Sequence, residues 1–362
     1  MFFINKKEIK VNNMNLNLNT LSIKSSPYDY NVFFKQELIY STISNIYKKG
    51  DILIIDKNIY NLIKNNITIP KEYIYICEAL ENLKTLDGVE KILCYLQKKN
   101  FTKGENLIAV GGGIIQDVCS FTSCIYKRGV NWKFIPTTLL SMCDSCIGSK
   151  SCLNYNSVKN QLGVFYAPKE IYININFLKT LSENDLKSGL GEILRLYSTG
   201  GEYYLNIYDK YVKNGKVLNF DNYTKLILTA LTIKKSVIEI DQFETDIRKG
   251  LNYGHTFGHV LESISNYEIP HGIAVTIGMY ITNKLYNKNF KLFDRLCLDL
   301  IKHIDLKKYN FDNLEKLMKK DKKIIGNKLV FVYLQEYGKL YFEKIVIDSK
   351  FVLKLKKLLC NM

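Results

Sequence analysis

Short apolar runs alternate with helix-like stretches through the first half of the chain, and this alternation strongly restricts the folds it can adopt. The run Asp51–Asp56 ends in an acid, Leu107–Val110 leads directly into Gly111–Gly113, and Lys133–Ile135 is closed by Pro136. Apolar runs of this length are typical of strands buried on both faces, which occur in parallel sheets covered by helices. The pattern therefore predicts an α/β sheet with nucleotide-binding character.

The second half of the chain has a different texture, beginning after about residue 176. Four stretches there have helical spacing, roughly 182–198, 221–241, 252–265 and 272–288, and two late segments, 329–334 and 339–347, have strand character. A chain of 362 residues is also long for one hydrophobic core. We therefore predict an α/β domain over residues 1–175 and a mainly α-helical domain over residues 176–362.

The chain carries 51 lysines and arginines against 35 acidic residues, a formal net charge of +16. These basic residues are scattered, and no arginine stripe or nucleic-acid-binding motif accompanies them. A basic excess without such a motif favours an anionic small-molecule substrate, with a general bias towards lysine as the plain alternative. The sequence thus predicts no nucleic-acid partner.

Neither membrane insertion nor disulfide bonding fits the composition. No apolar run approaches the roughly 18–20 residues needed to span a bilayer, and the N-terminal charges follow the apolar stretch, the wrong order for a secretory signal. The nine cysteines are an odd number, as expected of reduced thiols. Cys143 and Cys146 have C-x-x-C spacing, but without a second pair or a nearby histidine we interpret it as coincidental. We expect a cytoplasmic protein with no membrane partner.

Histidine is scarce, yet three of the four histidines fall within seventeen residues, namely His255, His259 and His271. Imidazole is the usual nitrogen ligand of zinc and the side chain best suited to proton transfer near neutral pH. His255 and His259 share a face if their segment is helical, and a turn at Pro270 could return His271 to them. Thr256 stands where the metalloprotease motif H-E-x-x-H requires glutamate. The cluster predicts a metal or acid–base site without specifying the reaction.

The triple glycine Gly111–Gly113 follows a predicted strand. Glycines in this position let a pyrophosphate approach the backbone, and the N-terminus of a following helix offers free N–H groups. The spacing is not G-x-G-x-x-G, so a tight strand-to-helix turn without a ligand is the alternative interpretation.

Several strings follow one another along the chain: Pro136–Leu140, Asp144–Lys150, Lys179–Leu181, Gly189–Glu192, Asp241 with Glu244 and Arg248, Leu251–His259 and His271–Val275. In this order they closely resemble the sugar-phosphate cyclase superfamily, and within it the 3-dehydroquinate synthase family. The resemblance extends from about Asp56 to Lys323, nearly three quarters of the chain. It implies an N-terminal Rossmann-like NAD-binding domain, a mainly α-helical metal-binding domain and a homodimer.

The resemblance assigns three ligands of a divalent cation: Glu192, His255 and His271. The cation would be Zn²⁺, with Co²⁺ as the alternative, and three protein ligands leave coordination positions open for a substrate. His259 matches the family's histidine near the substrate, which is suited to proton relay or orientation.

The implied substrate is an anionic sugar phosphate that also carries a carboxylate. The residues that match its binding or catalytic positions are Arg128, Asp144, Lys150, Asn160, Arg195, Lys234, Arg248 and Lys323, with Lys320 and Lys322 as alternatives to Lys323. The residues that match the NAD⁺ site are Asp56, Glu81, Lys84, Gly111, Gly112, Gly113, Asp117, Thr137, Thr138, Asp144, Lys150, Lys159, Thr180 and Leu181. An acid directly after a strand, as Asp56 is, suits ribose hydroxyls.

Several positions depart from the family's pattern. Arg195 stands where a lysine usually follows the metal-binding glutamate, and arginine is larger and bidentate. Gln116, Ser120 and Ser149 replace glycines, and Asn184–Asp185 replaces an Arg-Glu pair. No metal ligand is lost, so these changes bear on which sugar phosphate is bound.

The implied reaction is the conversion of 3-deoxy-D-arabino-heptulosonate 7-phosphate to 3-dehydroquinate with release of phosphate. This is a carbon–oxygen lyase step of the shikimate pathway to aromatic amino acids, in which NAD⁺ is regenerated at each turnover. Three alternatives remain: a cyclase acting on sedoheptulose 7-phosphate or a similar sugar, a metal-dependent polyol dehydrogenase that releases NADH, and a basic nucleic-acid-binding protein.

Overall fold

The computed structural model describes residues 1–11, 19–156, 158–319, 324–325 and 328–360. The strands are β1 (Phe2–Ile4), β2 (Lys7–Ile9), β3 (Thr20–Ile23), β4 (Tyr30–Lys35), β5 (Ile52–Asp56), β6 (Ile74–Cys77), β7 (Asn106–Gly111), β8 (Asn131–Pro136), β9 (Lys150–Tyr155), β10 (Val158–Phe165), β11 (Glu170–Asn174), β12 (Val212–Lys213), β13 (Lys216–Val217), β14 (Ile324–Ile325), β15 (Lys328–Glu336) and β16 (Lys339–Val346). The α-helices are α1 (Ile39–Ile46), α2 (Lys57–Ile63), α3 (Leu86–Lys98), α4 (Gly113–Ile125), α5 (Glu183–Gly200), α6 (Glu202–Tyr211), α7 (Asn222–Ile238), α8 (His255–Ile264), α9 (His271–Leu285), α10 (Lys291–Ile301), α11 (Leu314–Met318) and α12 (Ser349–Cys360).

The chain divides into two compact units, Asn15–Leu181 and Met1–Met14 together with Ser182–Met362. The division falls a few residues after the predicted boundary at residue 175. The N-terminal residues, predicted as part of the first domain, group with the second unit because β1 pairs in parallel with β16.

Seven strands form one sheet in the unit Asn15–Leu181, in the order β3-β4-β11-β8-β7-β5-β6. All neighbouring strands are parallel except β3 and β4, and the predicted strands β5, β7 and β8 are adjacent and almost wholly buried. From β5 the chain continues to β6 on one side and then returns to β7 on the other. The sheet therefore has a topological switch point between β5 and β7, where ligands bind in open α/β sheets. The predicted α/β class is confirmed.

The unit that contains Ser182–Met362 is mainly helical, and the four predicted helical stretches are α5, α7, α8 and α9. Helix α9 packs against α5, α8 and α10. The unit also contains a sheet in the order β14-β15-β16-β1-β2, in which β15 and β16 correspond to the two predicted late strands. None of the helices in the described part of the chain combines the length and apolarity that crossing a membrane requires.

Candidate metal and nucleotide sites

Two glycines allow helices α5 and α9 to approach at the level of their backbones. A Cβ atom on Gly272 would lie 1.8 Å from the carbonyl oxygen of Ser188, and one on Gly191 would lie 2.3 Å from the carbonyl oxygen of Gly272. Gly191 precedes Glu192 and Gly272 follows His271, so the close approach brings these two predicted ligands together. His271 Nε2 lies 3.4 Å from Glu192 Oε1.

The third predicted ligand reaches the same carboxylate from the start of α8. Gly254 precedes this helix with a φ of +81°, a left-handed conformation that favours glycine, so that His255 begins the helix. His255 Nε2 lies 3.8 Å from Glu192 Oε1. The structure therefore brings all three predicted ligands together.

Both predicted histidine ligands are oriented through their Nδ1 atoms. His255 Nδ1 lies 3.3 Å from the carbonyl oxygen of Tyr253, and His271 Nδ1 lies 3.1 Å from Glu262 Oε2. Because both partners are acceptors, we assign a proton to each Nδ1, which leaves Nε2 of each ring as the nitrogen that faces Glu192. Outer hydrogen bonds of this kind fix the tautomer of metal-binding histidines.

The local charges favour an ionised carboxylate between cations. Burial raises the pKa of Glu192, but the Arg195 guanidinium and the His271 imidazole outweigh it and lower that pKa to about 2. Burial lowers the pKa of His271, but Glu262 and Glu192 outweigh it and raise the pKa to about 10. A metal ligand must present an unprotonated nitrogen, so a cation bound here would displace a proton from His271.

The donor set fits a divalent cation such as zinc. Glu192 is fully buried, and His255 Nε2 and His271 Nε2 face its Oε1 atom at 3.8 and 3.4 Å. One ligand atom from each of Glu192, His255 and His271 lies within 4.8 Å of the others. Two imidazoles and a carboxylate are donors that zinc takes, and a cation would take the place of the His271 proton beside the buried oxygen.

A second group of possible ligands overlaps the first. His259, Glu262 and His271 also bring one ligand atom each within 4.8 Å of the others. Sequence reasoning missed Glu262, and its available signal was the position three residues after His259 on one helical face. Glu262 contacts Nδ1 of His271 and so orients that ring, as a carboxylate commonly does for a histidine that binds a metal.

The remaining predicted residues of this unit include two buried cations. Lys234 is buried on α7. Arg248 is also buried, its backbone N–H donates to Asp241 Oδ2 at 3.0 Å, and its guanidinium donates to the carbonyl oxygen of Gln242. Lys323, with its alternatives Lys320 and Lys322, lies outside the described residues.

In the other unit, predicted cofactor residues gather at the carboxyl ends of neighbouring parallel strands. Asp56 ends β5, and its carboxylate caps α2 by accepting the N–H of Asn58 at 2.8 Å. Gly111 ends β7 beside it and accepts the N–H of Thr137, which follows β8, at 2.9 Å. Asp56 and Gly111 therefore flank the switch point, where dinucleotides bind in such sheets.

The three glycines have different surroundings. A Cβ atom on Gly111 would lie 2.4 Å from Ile115 Cγ1, and one on Gly112 would lie 2.9 Å from Thr138 Cγ2. A Cβ atom on Gly113 would meet nothing within 4 Å. Gly113 is also the first residue of α4, so open space adjoins the N–H groups that begin this helix. This arrangement fits a phosphate group.

Five further predicted residues form one polar network. Lys84 Nζ lies 2.8 Å from Asp117 Oδ2 and 3.3 Å from Asn160 Oδ1. Glu81 joins Lys159 to this group, because its Oε1 atom lies 3.3 Å from Lys159 Nζ and 3.9 Å from Lys84 Nζ. Burial raises the pKa of Asp117, and Lys84 is the main group that opposes this rise. Burial alone would lower the pKa of Lys84, but Asp117 and the other nearby acidic groups outweigh burial, so the pKa of Lys84 is raised.

The other predicted residues of this unit lie around these groups or beyond them. Asp144 lies in the π-helical turn Ser141–Ser145, Lys150 is exposed at the start of β9, and Thr180, followed by Leu181, ends a short 3₁₀ helix. Arg128 is exposed and follows the C-terminal end of α4. A helix of 13 residues is about 20 Å long, so Arg128 lies at the opposite end of α4 from Gly113. Its predicted role in binding the substrate stays a prediction.

Comparison with known proteins gives the family directly. The family model described as 3-dehydroquinate synthase N-terminal matches residues 74–188, and the one described as 3-dehydroquinate synthase C-terminal matches residues 189–324. The 3-dehydroquinate synthase of Clostridium tetani is 36% identical over 314 residues, covering 83% of this chain and 83% of that protein. The 3-dehydroquinate synthase of Pelagibacter ubique is 35% identical over 348 residues, covering 88% and 92%.

Solved structures share the fold at lower identity. A 2-deoxy-scyllo-inosose synthase, complexed with carbaglucose-6-phosphate, NAD⁺ and Co²⁺, has a TM-score of 0.82 at 20% identity and covers 94% of this chain and 99% of its own. A 2-epi-5-epi-valiolone synthase from Streptomyces hygroscopicus subsp. jinggangensis, with NAD⁺ and Zn²⁺ bound, has a TM-score of 0.75 at 18% identity and covers 93% and 98%. A probable glycerol dehydrogenase from Sinorhizobium meliloti has a lower TM-score, 0.62, at 12% identity, covering 91% and 96%.

The family models adjoin and together span residues 74–324, and both relatives exceed 30% identity over most of the chain. Those residues include the histidine cluster, the buried glutamate and the glycine loop described above. The chain belongs to the 3-dehydroquinate synthase family.

Proposed function

We propose that this enzyme converts 3-deoxy-D-arabino-heptulosonate 7-phosphate to 3-dehydroquinate and phosphate, as a lyase of the shikimate pathway. It would use bound NAD⁺ and a divalent cation, Zn²⁺ or Co²⁺. The observation that carries the proposal is the buried Oε1 atom of Glu192, which faces two imidazole nitrogens at 3.4 and 3.8 Å. Family membership supports the choice of reaction, and the NAD⁺ and metal named for two cyclases of the same fold support the cofactors.

The residues divide the work by their chemistry. Glu192, His255 and His271 would hold the cation, which when bound would acidify a coordinated hydroxyl while NAD⁺ accepts and returns a hydride. His259, whose ring centroid lies 5.5 Å from that of His255, would move the proton that this chemistry releases. We assign to Lys234 the binding of an anionic group of the substrate.

The unit Asn15–Leu181 supplies the cofactor side of the proposal. The open space at Gly113 and the N-terminus of α4 would take the pyrophosphate. Asp56, at the end of β5, would bind ribose hydroxyls, as an acid after a strand does in this class of sheet. We also propose a homodimer in the cytoplasm, on the strength of the family resemblance.

One assay separates this function from its alternatives. The enzyme is supplied with NAD⁺, Zn²⁺ and the heptulosonate phosphate, and released phosphate and the absorbance of NADH are followed together. We expect phosphate release without accumulation of NADH, because the cofactor is regenerated at each turnover. Accumulating NADH would favour a polyol dehydrogenase. The assay is repeated with sedoheptulose 7-phosphate as the substrate, and phosphate released only from that sugar would favour a different cyclase.

The glycine loop yields a separate prediction for NAD⁺. Replacing Gly113 by alanine should weaken NAD⁺ binding by roughly 10-fold or more, because the added methyl group enters the space next to the helix N-terminus. The fold should be retained, since nothing lies within 4 Å of that methyl group. Calorimetric titration with NAD⁺ and urea unfolding measure the two effects.

The matched control is Gly111→Ala in the same loop. Its methyl group would overlap Ile115, so it should destabilise the protein by about 1–3 kcal/mol through overpacking. Wild-type NAD⁺ affinity in Gly113→Ala would show that the pyrophosphate does not lie here.

A further inference from the structure

Arg195 is almost inaccessible to a ligand from solvent. Its side chain is 2% exposed on α5, and Glu192, three residues earlier on the same helical face, is fully buried. The Nε atom of Arg195 donates to Glu192 Oε2 at 2.5 Å, and the Nη1 atom donates to the carbonyl oxygen of Leu251 at 2.7 Å. Two donors of this guanidinium are therefore committed within its own unit.

The two contacts of Arg195 lead to two different metal-ligand candidates. Glu192 carries one ligand atom itself, and Leu251 lies in the 3₁₀ segment Ile247–Asn252, which leads into His255. One rigid, planar group thus ties the carboxylate on α5 to the segment that precedes the imidazole on α8. A lysine ammonium is a point charge on a flexible stem and lacks the fixed fork that spans both partners.

The contact with Arg195 also distinguishes the two oxygens of Glu192. Oε2 is occupied by the guanidinium, whereas Oε1 faces His255 Nε2 and His271 Nε2. A carboxylate held in this way offers a cation one defined oxygen at a defined angle. The Glu192 carboxylate is also paired with a permanent positive charge, because the guanidinium of arginine is not deprotonated in proteins.

We infer that Arg195 is a positioning residue of the metal centre, which orients Glu192 and the segment before His255, and that it does not bind the sugar phosphate. The inference rests on the metal site of the proposed function but on neither its substrate nor its reaction. It replaces the substrate-binding role that the family resemblance implies for this position. The reason is geometric, because the side chain is 2% exposed and its Nε and Nη1 atoms donate to Glu192 and Leu251.

The test measures Co²⁺ binding by the full-length protein without substrate or NAD⁺, by titration and by the visible absorption spectrum of bound Co²⁺. Arg195→Met should weaken Co²⁺ binding by about 10–100-fold, as loss of a residue that supports a metal ligand commonly does. Arg195→Lys keeps the charge without the fork, so its affinity should lie between those of Arg195→Met and the wild type, with an altered spectrum.

Arg295→Met is the matched control. Arg295 on α10 is 46% exposed, pairs with Asp209 and Asp299, and should leave Co²⁺ affinity unchanged when replaced. If Arg195→Met does not fold, as judged by circular dichroism, Arg195→Lys decides. Wild-type or tighter Co²⁺ binding in the folded Arg195 variants would overturn this inference and leave the proposed metal site standing. A wild-type protein that binds no Co²⁺ or Zn²⁺ would overturn the proposed metal site and the inference with it.

Discussion

Replacing His255 by alanine should weaken metal binding at least on the order of 100-fold, so that metal is lost on dialysis, whereas replacing His259 should leave the metal in place and remove turnover. His255 belongs to the ligand group with Glu192, His259 belongs to the group with Glu262, and His271 belongs to both. The two single variants therefore separate the two groups. The metal content of each protein after dialysis, measured by atomic absorption, gives the answer.

The expected size of the effect follows from the energy of zinc binding. An apparent free energy of about 10–16 kcal/mol, shared among three protein ligands, gives roughly 3–5 kcal/mol for each, so losing one should weaken binding at least on the order of 100-fold. We favour the Glu192 group because its carboxylate is fully buried between two imidazoles, and because the contact of Glu262 with Nδ1 turns Nε2 of His271 towards Glu192.

Two further variants complete this experiment. Glu192→Gln keeps the shape of the side chain but removes its charge, and should lose the metal as His255→Ala does. His271→Ala should lose the metal whichever group is correct, so it serves as the positive control. Metal loss in His259→Ala combined with retention in His255→Ala would assign the cation to the second group.

The parts of the fold that sequence predicted are those with a strong local signal. Strands β5, β7 and β8 are buried on both faces, so each is a continuous apolar run that stands out without knowledge of its neighbours. The helices that carry the metal-ligand candidates have apolar residues at helical spacing. The metal ligands themselves depended on the resemblance, because a single glutamate on a helix is usually a solvated charge.

The parts that sequence missed depend on contacts between distant segments. Strands β1 and β2 are three residues each, and β1 pairs with β16 at the other end of the chain. Pairing between strands so far apart in the chain produces no periodic pattern in the sequence, so the sequence does not predict it. The same holds for side-chain direction: nothing local shows that Arg195 turns to Glu192 and Leu251, or that Glu262 contacts His271.

The second large effect concerns stability, in the polar network of the unit Asn15–Leu181. Replacing Lys84 by methionine should destabilise this unit by about 3–5 kcal/mol at neutral pH, because it leaves the Asp117 carboxylate buried without its cation. The two side chains are 10% and 16% exposed and their charged atoms lie 2.8 Å apart, so water replaces little of the lost interaction. Trp132, the only tryptophan of the chain, is buried in β8 of the same unit and reports its unfolding in urea by fluorescence.

Controls show whether the loss belongs to the buried pair. In the double variant Lys84→Met/Asp117→Asn no buried charge remains at these two positions, so much of the stability should return. Lys91→Met removes the exposed partner of Asp87 in the same unit and should have no measurable effect. A loss in Lys84→Met no larger than that in Lys91→Met would show that the network contributes as little as a surface ion pair.

The pH dependence of this variant follows from the sign of the Asp117 shift. Burial already raises the pKa of Asp117, and Lys84 is the main group that opposes the rise, so its removal should raise that pKa further. A group whose pKa is raised on folding favours the folded state below its unfolded pKa and loses that contribution as pH rises through the folded pKa. Lys84→Met should therefore lie closest to the wild type in mildly acidic solution and fall furthest below it near pH 7. In the double variant, the amide that replaces the Asp117 carboxylate has no proton to exchange, so this dependence should vanish. Its persistence there would show that Asp117 is not its source.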